Sequence, residues 1–109
     1  MVPDVIEQRK TEIAGLCRKY RVRALWLFGS AVTGAWNPAT SDFDFLVDLG
    51  EYSGDYATRF FALRRDLERM MKREVDVVSL DERGNGWLRE EIDATKVNIY
   101  DARYDQLVA

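Results

Sequence analysis

No histidine occurs in this chain of 109 residues. That removes imidazole as general acid, general base and metal ligand, and with it any Ser-His-Asp triad. A single cysteine, Cys17, excludes an internal disulfide framework and a cysteine-cluster zinc site. It falls on the apolar stripe of a helical pattern and reads as a small core residue. No apolar run approaches the ~20 residues of a membrane span. The first ten residues carry Asp4, Glu7 and Arg9 in place of the apolar centre of a signal peptide. A cytoplasmic protein with no membrane partner is therefore expected. A strong charge of one sign is also missing. The net charge of −3 supplies no basic field, so direct nucleic-acid binding is not expected. An apolar share of 47% is enough for a true core, and the length suits one domain spanning 1–109.

What is present centres on residues 25–49, LWLFGSAVTGAWNPATSDFDFLVDL. An apolar strand runs into Gly29-Ser30, a short helical turn follows, and a loop with Asn37-Pro38 leads to a second strand at 42–49. Alternation along that strand puts Asp42, Asp44, Leu46 and Asp48 on one face and Phe43, Phe45, Val47 and Leu49 on the other. Asp42 and Asp44 then stand roughly 6–7 Å apart along the chain. Like charges so placed call for a cation, and a hard, oxygen-loving ion such as Mg²⁺ suits two carboxylates. A glycine-containing turn that opens a helix exposes backbone N–H groups suited to phosphate. Together these point to a nucleoside triphosphate and phosphoryl-type chemistry.

The remaining elements alternate. A helix is expected over 4–21, opened by a capping-box-like Asp4 and Glu7, and a strand over 22–28. The clearest helix spans 55–73, with Tyr56, Phe60, Leu63, Leu67 and Met70 as its stripe and Phe61 and Met71 widening it. Its arginines and lysines, Arg59 among them, read as a solvated face. Strands at 75–80 and 96–100 flank a short helix at 87–94, and the tail is a loose turn or short helix. The order α-β-α-β-α-β-α-β predicts an α/β (α+β) fold: a small mixed sheet of about four strands with helices packed on it. Asp76, inside VDVVSL, is costly to bury unless paired, capped or metal-bound. If its strand neighbours the second strand, three carboxylates meet and can hold two Mg²⁺ ions. Trp36 and Trp87 are expected in the core, with an exposed contact surface near the site as the alternative, and Asp48 is expected to be solvated.

Gly29-Ser30 followed by Ser41-Asp42-Phe43-Asp44 resembles the G-S…S-D-x-D signature of the polymerase-beta-like nucleotidyltransferase superfamily. Over residues 5 to 100 the chain looks like its minimal nucleotidyltransferase (MNT) family. The resemblance implies an antitoxin paired with a HEPN-domain ribonuclease toxin, able to transfer AMP from Mg-ATP to a tyrosine of that toxin. It implies triphosphate binding by Gly29, Ser30 and Ser41. Asp42, Asp44 and Asp76 become the catalytic and metal-binding carboxylates, and Gly34 matches the family's second glycine. Hetero-oligomers with the toxin, or homo-oligomers, go with it. One departure stands out: Thr33 occupies the position where many relatives carry arginine. It favours an alternative in which the protein neutralises its toxin by binding alone. A nucleotidyltransferase for a small molecule such as an aminoglycoside is disfavoured, because such enzymes usually carry an additional helical domain.

Overall fold

The fold was obtained as a computed structural model that describes residues 2–34, 37 and 42–105. Four strands form one sheet in the order β3-β2-β1-β4. They are β1 (Ala24–Phe28), β2 (Phe43–Asp48), β3 (Val75–Ser79) and β4 (Val97–Asp101). β1 is central and antiparallel to both β2 and β4, while β2 and β3 run parallel. Parallel neighbours need a crossover, and the amphipathic helix α4 (Tyr56–Met71) supplies it between β2 and β3. The predicted mixed four-stranded sheet is what forms.

The side-chain period of two divides the sheet into two unlike faces. Leu25, Leu27, Phe43, Phe45, Val47 and Val75 point to one side. There they meet Ile6 of α1 (Asp4–Gln8), Ile13 and Cys17 of α2 (Lys10–Lys19), and Leu63 and Leu67 of α4. All of these are nearly or fully buried. Burial pushes the Cys17 thiol up to about 12, with the Asp105 charge a lesser cause, so it stays protonated core material. Phe28 and Leu46 point to the other side, where α5 (Trp87–Thr95) lays Ile92 against them. Asp44 and Asp76 share the parity of Leu46 and Val78, so this thinner face carries the acids.

Several expectations are corrected. The helix expected over 4–21 is two helices broken at Arg9, and α1 is preceded by Pro3 without any side-chain cap. Asp4 and Glu7 lie in its first turn, where negative charge suits the dipole. Phe61 does not widen the buried stripe of α4 but is 61% exposed. Arg59 leaves the solvated face and is buried. Its Nη1 donates to the carbonyl of Tyr20 at 3.1 Å and of Leu49 at 3.4 Å, and its Nε to Asp55 at 3.2 Å. It ties the end of α2 to the end of β2 by satisfying carbonyls that would otherwise be buried without a donor. Asp48 is partnered rather than solvated: its Oδ1 accepts the Gly50 N–H at 2.8 Å. The tail begins with a short helix, α6 (Ala102–Asp105).

Candidate active site

The site is assembled where β1 ends and β2 begins. Gly29 follows β1 with φ +75° and ψ −145°, outside the range most side chains tolerate. A Cβ at that position would stand 2.9 Å from Asp44 Oδ2, so a side chain there would push the carboxylate aside as well as strain the backbone. The chain then turns into α3 (Ser30–Thr33), which Gly34 ends at φ +91°. Ser30 and Ala31 occupy first-turn positions, where helix geometry leaves N–H groups without an intrahelical acceptor. The Gly29 N–H itself is engaged, donating to Thr95 Oγ1 at 3.0 Å. Thr95 Oγ1 donates in turn to the Glu91 carbonyl at 2.8 Å. The turn is thus braced from the last residue of α5, a link that no local signal in the sequence announces.

The register brings the acids together. Phe28 pairs with Asp44 across β1 and β2, and Asp44 pairs with Asp76 across β2 and β3. Asp44 is half-buried and its carboxyl is raised to about 6. Burial is the largest cause, followed by the charge of Asp76 and a hydrogen bond shared with it, then the charges of Glu91 and Asp42. Asp42 lies one residue before β2 and is exposed. Asp76 is exposed too, because β3 is an edge strand. The cost of burying an aspartate therefore does not explain it; its pairing with Asp44 is what sets it apart. Ser41 lies outside the described residues, as does Trp36.

Two oxygen-only groups on adjacent strands, one of them held above the usual carboxylate range by burial first and by the charge of the other second, fit a hard divalent cation, which would offset both causes. Among the described residues, no three acidic or sulfur side chains gather into a ready metal cage. The structure thus brings Asp44 and Asp76 together beside Gly29, with Asp42 at the rim. It adds two residues that sequence reasoning missed. Glu91, one turn before Thr95 on α5, faces the pair. Trp87, expected in the core, is 74% exposed at the lip of the recess beyond Asp76, because Leu88 and Ile92 form the buried stripe of α5.

A turn that presents backbone N–H groups beside paired strand-borne acids is the layout of a phosphate-handling, nucleotidyl-transfer site. A family model described as "Polymerase beta, Nucleotidyltransferase" matches residues 11–105, and the chain belongs to that family. No curated protein matches it. Among solved structures, a crystal structure of a toxin-antitoxin with AMP-PNP is similar at 20% identity and TM-score 0.67, over 91% of this chain and 78% of that one. A tri-AMPylated Shewanella oneidensis HEPN toxin in complex with its MNT antitoxin is similar at 17% identity and TM-score 0.63, over 94% and 78%. A candidate minimal nucleotidyltransferase is similar at 28% identity and TM-score 0.66, over 89% and 95%. Among the described residues, no helix is long and apolar enough to cross a membrane.

Proposed function

We propose that the protein is an antitoxin nucleotidyltransferase that moves AMP from Mg-ATP to a tyrosine of a helical HEPN ribonuclease toxin and so neutralises it. The observation that carries this reading is the register of Asp44 with Asp76 immediately beside the Gly29 turn. The family and the toxin-antitoxin structures of similar fold support it. In this reading Gly29, Ser30 and Ser41 hold the triphosphate, and backbone N–H groups of the turn face the β- and γ-phosphates. Asp44 and Asp76, with Asp42 at the rim, hold up to two Mg²⁺ ions, which offset the charge that builds on the phosphates during transfer. Asp76, the more exposed of the pair, is placed to take a proton from an incoming hydroxyl. In this reading the acceptor comes from a partner molecule, a reading supported by the tri-AMPylated HEPN toxin found in complex with an MNT antitoxin of similar fold.

Incubating the protein with Mg²⁺, α-labelled ATP and the product of the adjacent reading frame tests this. Label is expected on the partner, with Asp42→Asn/Asp44→Asn lowering the rate by at least about 10²-fold. No label, with a stable complex still formed, would sink transfer and leave neutralisation by masking. Thr33 favours that second reading. In place of an arginine, its hydroxyl turns back to the Ser30 carbonyl at 3.5 Å.

A further inference from the structure

The acids stand in a row across the sheet. Phe28 and the Gly29 turn come first, Asp44 next, Asp76 last, and beyond Asp76 the sheet ends, since β3 is its edge. Strands lie about 4.8 Å apart, so the row spans roughly 10 Å from the turn to the edge. Phosphoryl transfer proceeds with the entering and leaving oxygens roughly in line through phosphorus. With the leaving pyrophosphate at the Gly29–Ser30 turn and the α-phosphorus over the acid pair, the entering oxygen must arrive from the Asp76 side. A recess of about 440 Å³ runs from Phe28 past Asp44 to that side. Phe28, Asp44, Asp76 and Glu91 line it, and Arg64 from α4 and Trp87 from α5 stand in its wall. Trp87 is the one residue of α5 whose large aromatic ring is given to solvent rather than to the core.

We propose that this recess is the acceptor subsite, and that the Trp87 indole stacks on the phenol ring of a tyrosine presented by the partner protein. The proposal rests on the transfer reading above and adds to it where the acceptor enters and what holds it. An exposed indole offers a flat apolar face for an aromatic ring, and the half-exposed Arg64 guanidinium, 3.9 Å from Glu68, adds positive charge to the same wall. In the step, the bond from phenol oxygen to α-phosphorus forms as the bond from phosphorus to pyrophosphate breaks. The electron pair leaves with pyrophosphate, and the phenolic proton passes to the Asp76 carboxylate. In this placement Trp87 serves the acceptor and not ATP, which separate KM values distinguish.

Steady-state transfer of α-labelled AMP to the product of the adjacent reading frame tests the subsite, with KM measured separately for that protein and for ATP. Trp87→Ala is expected to raise KM for the protein acceptor about 5–10-fold with KM for ATP unchanged, and Trp87→Phe to recover most of the loss. An exposed first-turn residue contributes little to the core, so the melting temperatures of both variants should match wild type. If the acceptor KM of Trp87→Ala stays within twofold of wild type, the subsite is wrong. It is equally wrong if KM for ATP rises instead, since the indole then stacks on the base. Failure of the wild-type protein to label the partner would overturn the transfer reading and the subsite together, whereas transfer that ignores Trp87 would overturn the subsite alone.

Discussion

At the scale of single residues the site turns on Gly29 and Asp44, which almost touch. Without a Cβ the turn passes the Asp44 carboxylate with that side chain undisplaced. In exchange Asp44 is desolvated and faces Asp76, so its charged form is disfavoured. The sign follows directly. A carboxyl near 6 in the folded chain and 3.8 in the unfolded one makes the native state hold its proton longer. Stability from this group is full below about pH 4 and is lost as pH rises toward 6. Unscreened, the shift would amount to about 3 kcal/mol; solvent around a half-buried side chain reduces it to about 1 kcal/mol. In chelator-treated protein, Asp44→Asn should therefore be about 1 kcal/mol more stable than wild type at pH 7.5 by urea unfolding, and no more stable at pH 4. A variant less stable at pH 7.5 would show that Asp44 is not under this repulsion. Asp44 and its partner Asp42 were legible in the sequence because a strand period of two needs no tertiary information. The raised carboxyl was not, since it depends on Asp76 and Glu91, 32 and 47 residues further along.

At the scale of elements, α5 decides more than its length suggests. It covers the second face with Leu88 and Ile92, places Glu91 and Trp87 around the acids, and braces the Gly29 turn through Thr95. Removing the Thr95 hydroxyl leaves the Gly29 N–H without its acceptor in a partly buried setting. Thr95→Val should cost about 1–2 kcal/mol in chemical denaturation and weaken ATP binding, while Thr95→Ser keeps both near wild type. Equal losses in the two variants would point to packing and not to the hydrogen bond. A short helix at 87–94 was readable, but which of its residues meet the site was not. The expected core position of Trp87 failed because at about 100° per residue it stands well round the helix from the face that Leu88 and Ile92 bury. Phe61 stands off the face of Leu63 and Leu67 in the same way. Arg59 failed in the opposite sense: a basic residue was assigned to solvent, whereas four backbone and side-chain oxygens converge on it.

At the scale of the whole molecule, a chain of net charge −3 concentrates acids at one end of one sheet face. A cation that binds the folded state alone stabilises it by mass action. At ten times its Kd the gain is about 1.4 kcal/mol, roughly 6 °C in melting temperature for a domain of this size. Mg²⁺ should raise the melting temperature of wild type by about that amount and leave Asp44→Asn/Asp76→Asn unmoved. An equal rise in both would place the ion elsewhere. This readout is independent of transfer, so it tests the acid pair even if the protein works only by masking its partner.

The sequence by itself determined the elements, their order, the two-sided pattern of the central strands and the Gly29, Asp42 and Asp44 constellation, because each depends on periodicity or spacing over a few residues. Only the tertiary structure decided that β3 lies parallel beside β2, which turns Asp76 from an isolated acid into the neighbour of Asp44. It alone decided that α5 reaches back to hold the Gly29 N–H and leaves Trp87 at the mouth of the recess. These contacts join segments 32 or more residues apart, and the register that creates them is settled by burying Phe43, Phe45 and Val47 against α2 and α4, an energy summed over the whole core that no local stretch contains.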